Sequence, residues 1–243
     1  MICKDKVALV TGAAGNGMGR SIALTLAREG AAVVVNYLTS SDNAAAIVSH
    51  IEKQGGRAFP FQADITQQDQ CKALVDAATD TFSQVDICII GPGAGWHPEP
   101  PHKLGSTAAL DDVRRELAPI YHLMPLVLPG MYERQWGRLI TIALVPPYNS
   151  PAYSYNVAKA ARAHAFELAR DSAWANGVTL DTISPGPVSA IDTLEEAIEQ
   201  CEHGPAWLNR TTTSPQDVAE SVGFLCSDAG RFISGAMIPY MFH

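Results

Sequence analysis

The sequence predicts an α/β chain built on a doubly wound parallel sheet. Three observations carry that expectation. Short apolar runs rich in β-branched residues, beginning with Val7-Ala8-Leu9-Val10, alternate with longer stretches of helical spacing through most of the 243 residues. A glycine-rich segment from Thr11 to Gly19 lies directly between the first such run and the first helical stretch. The remaining glycine-rich and polar clusters fall just past the carboxyl ends of predicted strands, where open parallel sheets bind their ligands.

Taken in order, residues 7–10 form a buried strand and residues 20–30 a helix, with Ile22, Ala23, Leu26 and Ala27 at helical spacing and a stop at Gly30. Between them, Gly12, Asn16, Gly17, Met18 and Gly19 form a loop that allows the backbone to approach a pyrophosphate, whose charge the free N–H groups of the helix start would hold. The spacing therefore predicts a dinucleotide site. Residues 32–35 form the second strand, followed by Asn36 and Tyr37. An acidic residue at that place would accept both hydroxyls of an adenosine ribose; Asn36 does not repel a 2′-phosphate as a carboxylate would. This leans toward NADP over NAD, with use of both left open, and Arg20 is the candidate cation for the phosphate. A helix over 40–54 ends at Gly55-Gly56, and the third strand is 58–62. Asp64, followed by Ile65, has two compatible roles: starting the helix over 67–82, or accepting from the adenine amino group. The fourth strand, 86–90, breaks into Gly91-Pro92-Gly93-Ala94-Gly95, which predicts close backbone approach to a ligand.

Residues 96–107 read as a loop in which His97 and His102 are solvated and no metal site is expected. Residues 108–132 have helical spacing but contain Pro119, Pro125 and Pro129, so this helix is expected to be bent or broken. The fifth strand, 138–143, leads through the stiff stretch 145–151 into an alanine-rich helix that carries Tyr155 and Lys159. Residues four apart on a helix share one face, roughly 6 Å apart along the axis. An ammonium held there favours the phenolate and eases movement of a proton from a group whose ordinary pKa is about 10. The sixth strand, 178–183, ends in Ser184-Pro185-Gly186-Pro187-Val188. Residues 190–210 have weak helical periodicity and stand where a mobile substrate lid belongs, with Leu194, Ile198, Trp207 and Leu208, together with Trp96, favouring a moderately hydrophobic substrate. A helix over 215–227, started by Ser214-Pro215, and a strand over 237–240 close one domain of residues 1–243.

Composition excludes several classes. The formal net charge is −8 and no basic run occurs, so a nucleic-acid partner has no electrostatic support. The five cysteines are scattered and odd in number, which argues for reduced thiols in a cytoplasmic setting rather than a disulfide framework. No apolar run has signal-peptide or membrane-spanning character.

With these residues placed, the whole chain resembles the short-chain dehydrogenase/reductase family. The resemblance rests on Thr11-Gly12 with Gly17-Met18-Gly19, Asp64, Tyr155-x-x-x-Lys159, Pro185-Gly186 and Ser214 to Ala219. It implies a single Rossmann-type domain of about seven strands and an NAD(P)-dependent enzyme interconverting a carbonyl and an alcohol. It implies Tyr155 as general acid/base, with Lys159 lowering its pKa and binding the nicotinamide ribose. It also implies a homodimer or homotetramer using the fourth and fifth helices. Four features depart from the family pattern. The glycine loop has one extra residue, and Ile90-Gly91-Pro92-Gly93 replaces Asn-Asn-Ala-Gly. Glu116 falls near the place of an asparagine, and Leu144 occupies that of the substrate-holding serine, for which Tyr148, Asn149, Ser150 and Ser154 are candidate substitutes. Two further readings stay open: a cofactor-binding scaffold or regulatory subunit with little redox activity, and a non-redox lyase or isomerase on the same fold.

Overall fold

The computed structural model describes residues 1–144, 151–206 and 210–240. Among these, seven strands form one parallel sheet: β1 (Val7–Val10), β2 (Ala32–Tyr37), β3 (Ala58–Gln62), β4 (Ile87–Ile90), β5 (Gly137–Ile142), β6 (Val178–Ser184) and β7 (Met237–Pro239). Their spatial order is β3-β2-β1-β4-β5-β6-β7. The order reverses between β1 and β4, and the crevice at their carboxyl ends is the place where such sheets take a ligand.

Alternation along the strands explains the layers. Ala8, Val10, Val33 and Val35 face one side, where they pack with Ile22 and Leu26 of α1 (Met18–Arg28), Ile47 of α2 (Ser41–Lys53), Ala197 of α6 (Leu194–His203) and Val222 of α7 (Pro215–Cys226). Leu9, Val34, Cys88 and Leu139 face the other, against Leu74 of α3 (Gln68–Phe82), Leu123 of α4 (Ser106–Glu133) and Phe166 of α5 (Tyr153–Trp174). Both faces are covered, so the strands are near-continuous apolar runs, as buried parallel strands require. All five cysteines are buried free thiols.

Two boundaries differ in a way that matters. The glycine-rich segment ends earlier than expected, because α1 begins at Met18 rather than at residue 20. Strand β2 runs two residues further, through Tyr37, and pairs Asn36 with Phe61, so Asn36 belongs to the sheet and not to the loop after it.

Of the two outcomes expected for the proline-containing helix, bent or broken, the break does not occur: α4 runs for 28 residues through Pro119, Pro125 and Pro129. Each proline removes one internal hydrogen bond. The apolar stripe Ile120, Leu123, Val127 and Met131 remains buried, while Pro125 and Pro129 lie on the exposed side, where carbonyls left unpaired meet water.

Candidate active site

The cofactor-side residues converge on the crevice. Thr11 at the end of β1 donates its hydroxyl to Ile89 O at 2.8 Å and accepts the Gly91 N–H at 3.0 Å, joining the loops after β1 and β4. Gly12 has φ +63°, and a Cβ there would overlap the Pro92 ring, so glycine at 12 and proline at 92 fit one another. Helix α1 starts at Gly17 with no side-chain cap and no acidic residue in its first turn, which leaves its N–H groups to an anion. Beside this loop lies a cavity of about 160 Å³ lined by Gly12, Asn36, Leu38, Asp64, Ile65, Pro92, Gly93 and Pro119, among others. An uncapped helix start beside this cavity offers free N–H donors of the kind an anionic group takes. A second cavity, of about 460 Å³, opens at the opposite, amino-terminal edge of the sheet, where Arg28 is already bound to Glu220 at 2.9 Å.

Three residues of this half are engaged by the protein itself. The Asn36 Oδ1 accepts the Gly12 N–H at 3.2 Å and its Nδ2 donates to Phe61 O and Ala63 O, bracing the glycine loop against β3. Arg20 is buried and donates to the Ile191 carbonyl, so the candidate cation for a 2′-phosphate is already engaged within the protein. Asp64 does not cap α3, whose N-cap is Gln67. Its Oδ1 instead accepts the Thr66 backbone N–H at 2.9 Å and the Thr66 hydroxyl at 2.8 Å, and these bonds outweigh burial to hold the carboxyl below its usual range. On the far side of the crevice, Gly186 adopts φ +66° and Val188 bridges to Thr213, which fixes the turn after β6.

The reaction side is built on α5. Tyr155 is half-buried and Lys159 almost fully buried, with Nζ 5.5 Å from the centre of the Tyr155 ring. The pair is therefore together, as the four-residue spacing dictates. Two residues beside it carry more than the sequence disclosed. Glu116 of α4 is completely buried; its Oε1 lies 3.1 Å from Lys159 Nζ and accepts the Ala94 N–H at 2.7 Å, and its Oε2 lies 2.8 Å from Arg162 Nη1. Arg162, also completely buried, donates to Thr141 Oγ1 at 2.6 Å, Ile90 O at 2.6 Å and Pro92 O at 2.8 Å. Sequence reasoning placed Glu116 but missed Arg162. The signal was present: an arginine three residues after Lys159 and seven after Tyr155 lies on their helical face, inside an otherwise small and apolar stretch.

This network bears on the ionisation of the tyrosine. Burial pushes the Tyr155 phenol up to about 12, the Glu116 carboxylate adds to the rise and Arg162 opposes it. Burial and the Arg162 cation bring Lys159 down to about 8, against the pull of Glu116. Lys159 therefore faces a carboxylate 3.1 Å away as well as the phenol ring.

The candidate replacements for the missing serine also divide. Ser154 is buried and donates its hydroxyl to Asp112 Oδ2, which also receives His97 Nε2 at 3.0 Å; it is committed between α4 and α5. His97 is thus an anchor of the loop after β4 rather than a purely solvated residue. Tyr148, Asn149 and Ser150 lie outside the described residues. Leu144 is part-buried just beyond β5, and Thr141 is turned to Arg162, so neither replaces the serine. In the expected lid, Leu194 and Ile198 pack against the core on the α1 side, and Trp207 and Leu208 lie outside the described residues. Among the described residues, no helix is long and apolar enough to cross a membrane.

A seven-stranded parallel sheet with a glycine loop at its switch point and a Tyr-x-x-x-Lys pair at the same edge defines a dinucleotide-dependent oxidoreductase of the Rossmann class. The family model described as short chain dehydrogenase matches residues 6–201, and the chain belongs to that family. It is 33% identical to the 7alpha-hydroxysteroid dehydrogenase of Escherichia coli strain K12, over 96% of this chain and 91% of that protein. It is 31% identical to the 3-oxoacyl-(acyl-carrier-protein) reductase FabG of Staphylococcus epidermidis, over 96% of each. The solved structure of a 7 alpha-hydroxysteroid dehydrogenase complexed with NADH and 7-oxo glycochenodeoxycholic acid superposes with a TM-score of 0.85 at 30% identity, over 98% of this chain and 93% of that one.

Proposed function

We propose that the protein interconverts a carbonyl and an alcohol on a small to medium, moderately hydrophobic substrate, with Tyr155 as the proton-transferring group. The observation that carries this reading is the placement of Tyr155 and Lys159 at the carboxyl edge of the sheet, beside the crevice between β1 and β4. A bound nicotinamide dinucleotide supplies the hydride donor or acceptor. The residues proposed to hold it are Gly12, Asn16 and Gly17 to Gly19 at the phosphates, and Tyr37, Asp64 and Ile65 at the adenosine. Gly91 to Gly93, Lys159, Pro185, Gly186 and Val188 would stand at the nicotinamide side, while Asn36 acts indirectly by shaping the loop.

The raised phenol keeps its proton at neutral pH, the form that a proton donor to a carbonyl oxygen requires, though a rise away from the working pH makes it a weaker acid. The names of the two relatives each describe carbonyl–alcohol chemistry, one in the oxidising and one in the reducing sense, which supports the class. Both NAD and NADP remain cofactors in this proposal; the uncharged Asn36 is the feature that favours acceptance of NADP.

The test is a titration with NAD(H) and NADP(H), followed by ketone and alcohol panels monitored by nicotinamide absorbance. Tyr155→Phe is expected to lower kcat by about a hundredfold or more, the usual scale for a lost acid/base group, while leaving nucleotide affinity largely unchanged. Turnover in Tyr155→Phe equal to wild type would end the assignment. A second reading is favoured by the Glu116–Lys159 ion pair, which restrains the activating lysine. It is a family member with little redox activity, or one using Tyr155 for proton transfer alone. Nucleotide binding with no absorbance change across the panels supports that reading.

A further inference from the structure

We propose that Glu116 and Arg162 form an opposed charge pair that sets the protonation equilibrium of Tyr155 and holds Lys159 in place, making both of them positioning residues of this site. The geometry supports a dedicated device. Both side chains are completely buried, and the Glu116 carboxylate bridges Lys159 at 3.1 Å and Arg162 at 2.8 Å. Arg162 is in turn fixed by Thr141 Oγ1, Ile90 O and Pro92 O, so both charges are held in place around Lys159. A Cβ at Gly93 would overlap the Glu116 carboxylate, so the loop after β4 is shaped around this acid.

Stability alone is a poor reason for such a group. Buried ion pairs are often no more stabilising than apolar residues of similar volume, because two charges must be stripped of water. What distinguishes the pair is its opposed action on one phenol: Glu116 raises Tyr155 and Arg162 lowers it. Lys159 stands 5.5 Å from the centre of the Tyr155 ring and is bridged by Glu116 of α4 to Arg162 of α5; β5 and the loop after β4 contribute the Thr141 hydroxyl and backbone carbonyls to Arg162. Nearby on α4, Asp112 is engaged by Ser154 and His97, and Arg115 by Asp111. Where Tyr155 titrates, Lys159 has already lost its proton, so Glu116 and Arg162 sum to zero. Removing only the carboxylate leaves one positive charge, and removing both members of the pair restores zero.

This inference uses the proposed role of Tyr155, and its test requires no substrate. Phenolate formation is followed by ultraviolet difference titration, with Tyr155→Phe in each background as the blank that isolates this tyrosine. Glu116→Gln is expected to lower the Tyr155 midpoint by about one unit or more, the usual scale for a neighbouring charge. The double variant Glu116→Gln/Arg162→Gln is expected to return toward wild type. A purely structural bolt predicts no directed movement, and further damage in the double variant. If Glu116→Gln fails to fold, Glu116→Asp, which withdraws the carboxylate by one methylene, is expected to move the midpoint the same way by less. An unmoved midpoint in the folded single variant, or a double variant that stays with the single one, overturns the inference. Should the carbonyl panel show no turnover while the midpoint moves as stated, the proposed activity fails and the charge pair stands. Should turnover occur with an unmoved midpoint, the reverse holds.

Discussion

Asp181 shows how a single buried group can be read as a stability switch. It sits in β6, almost fully buried, with Oδ1 accepting the Ala236 N–H at 3.1 Å, and burial raises its carboxyl to about 6 despite that bond and the nearby Arg138. The sign follows from linkage. An unfolded aspartate titrates near 3.9, so between about pH 4 and pH 6 the folded state binds the extra proton. Stability therefore falls as pH rises through that window and is level above it with respect to this group. Asp181→Asn keeps an acceptor for Ala236 and removes the charge. It is expected to raise stability above pH 6 by about 2 kcal/mol, as an upper scale, and to flatten the pH dependence of urea unfolding between pH 4 and 6. A variant as pH-sensitive as wild type would contradict this. Tyr155, by contrast, was fully legible as a residue, but its ionisation was not. The sequence supplies the lysine one turn away; only the fold brings a carboxylate from another helix to that lysine.

Helix α4 is the element where local rules and packing disagree. Three interior prolines predict a bend or a break, and α4 continues through them with the stripe Ile120, Leu123, Val127 and Met131 buried. A proline in a helix interior costs roughly 3 kcal/mol relative to alanine in model hosts, less what its stiffness removes from the unfolded chain. Pro125 is exposed, so replacement leaves no cavity. Pro125→Ala is expected to stabilise the protein by about 1–2 kcal/mol, read as a higher thermal midpoint with unchanged activity. A lower midpoint would mean the ring does something the packing does not reveal. The same helix delivers Pro119 to the adenosine-side cavity and Glu116 to Lys159, so its continuity is what positions both halves of the site.

At the scale of the molecule, α4 and α5 present Leu110, Tyr121 and Leu168 to solvent, each more than half exposed. Adjacent helices with exposed apolar side chains are the surface on which the expected dimer or tetramer would assemble. Leu168→Glu is expected to reduce the mass seen by light scattering to that of a smaller assembly or the monomer, with circular dichroism unchanged. An unchanged mass would place any assembly on another face. The interior of the chain does not depend on this surface, because both sheet faces are covered from within.

The order of elements, the two-sided burial of the strands, the glycine loop and the Tyr155–Lys159 pair were determined by the sequence itself. Each rests on local periodicity or on spacing within one element, and such signals survive without knowledge of the fold. Tertiary structure alone decided how side chains are spent across elements. It turned Asn36 inward to the Gly12 N–H and Arg20 to the Ile191 carbonyl, and it paired Ser154 with Asp112. Above all, it joined Glu116 to Lys159 and Arg162 over sequence distances of 43 and 46 residues. A charge has no period along the chain, and its partner is chosen by which helices pack together after the core has formed.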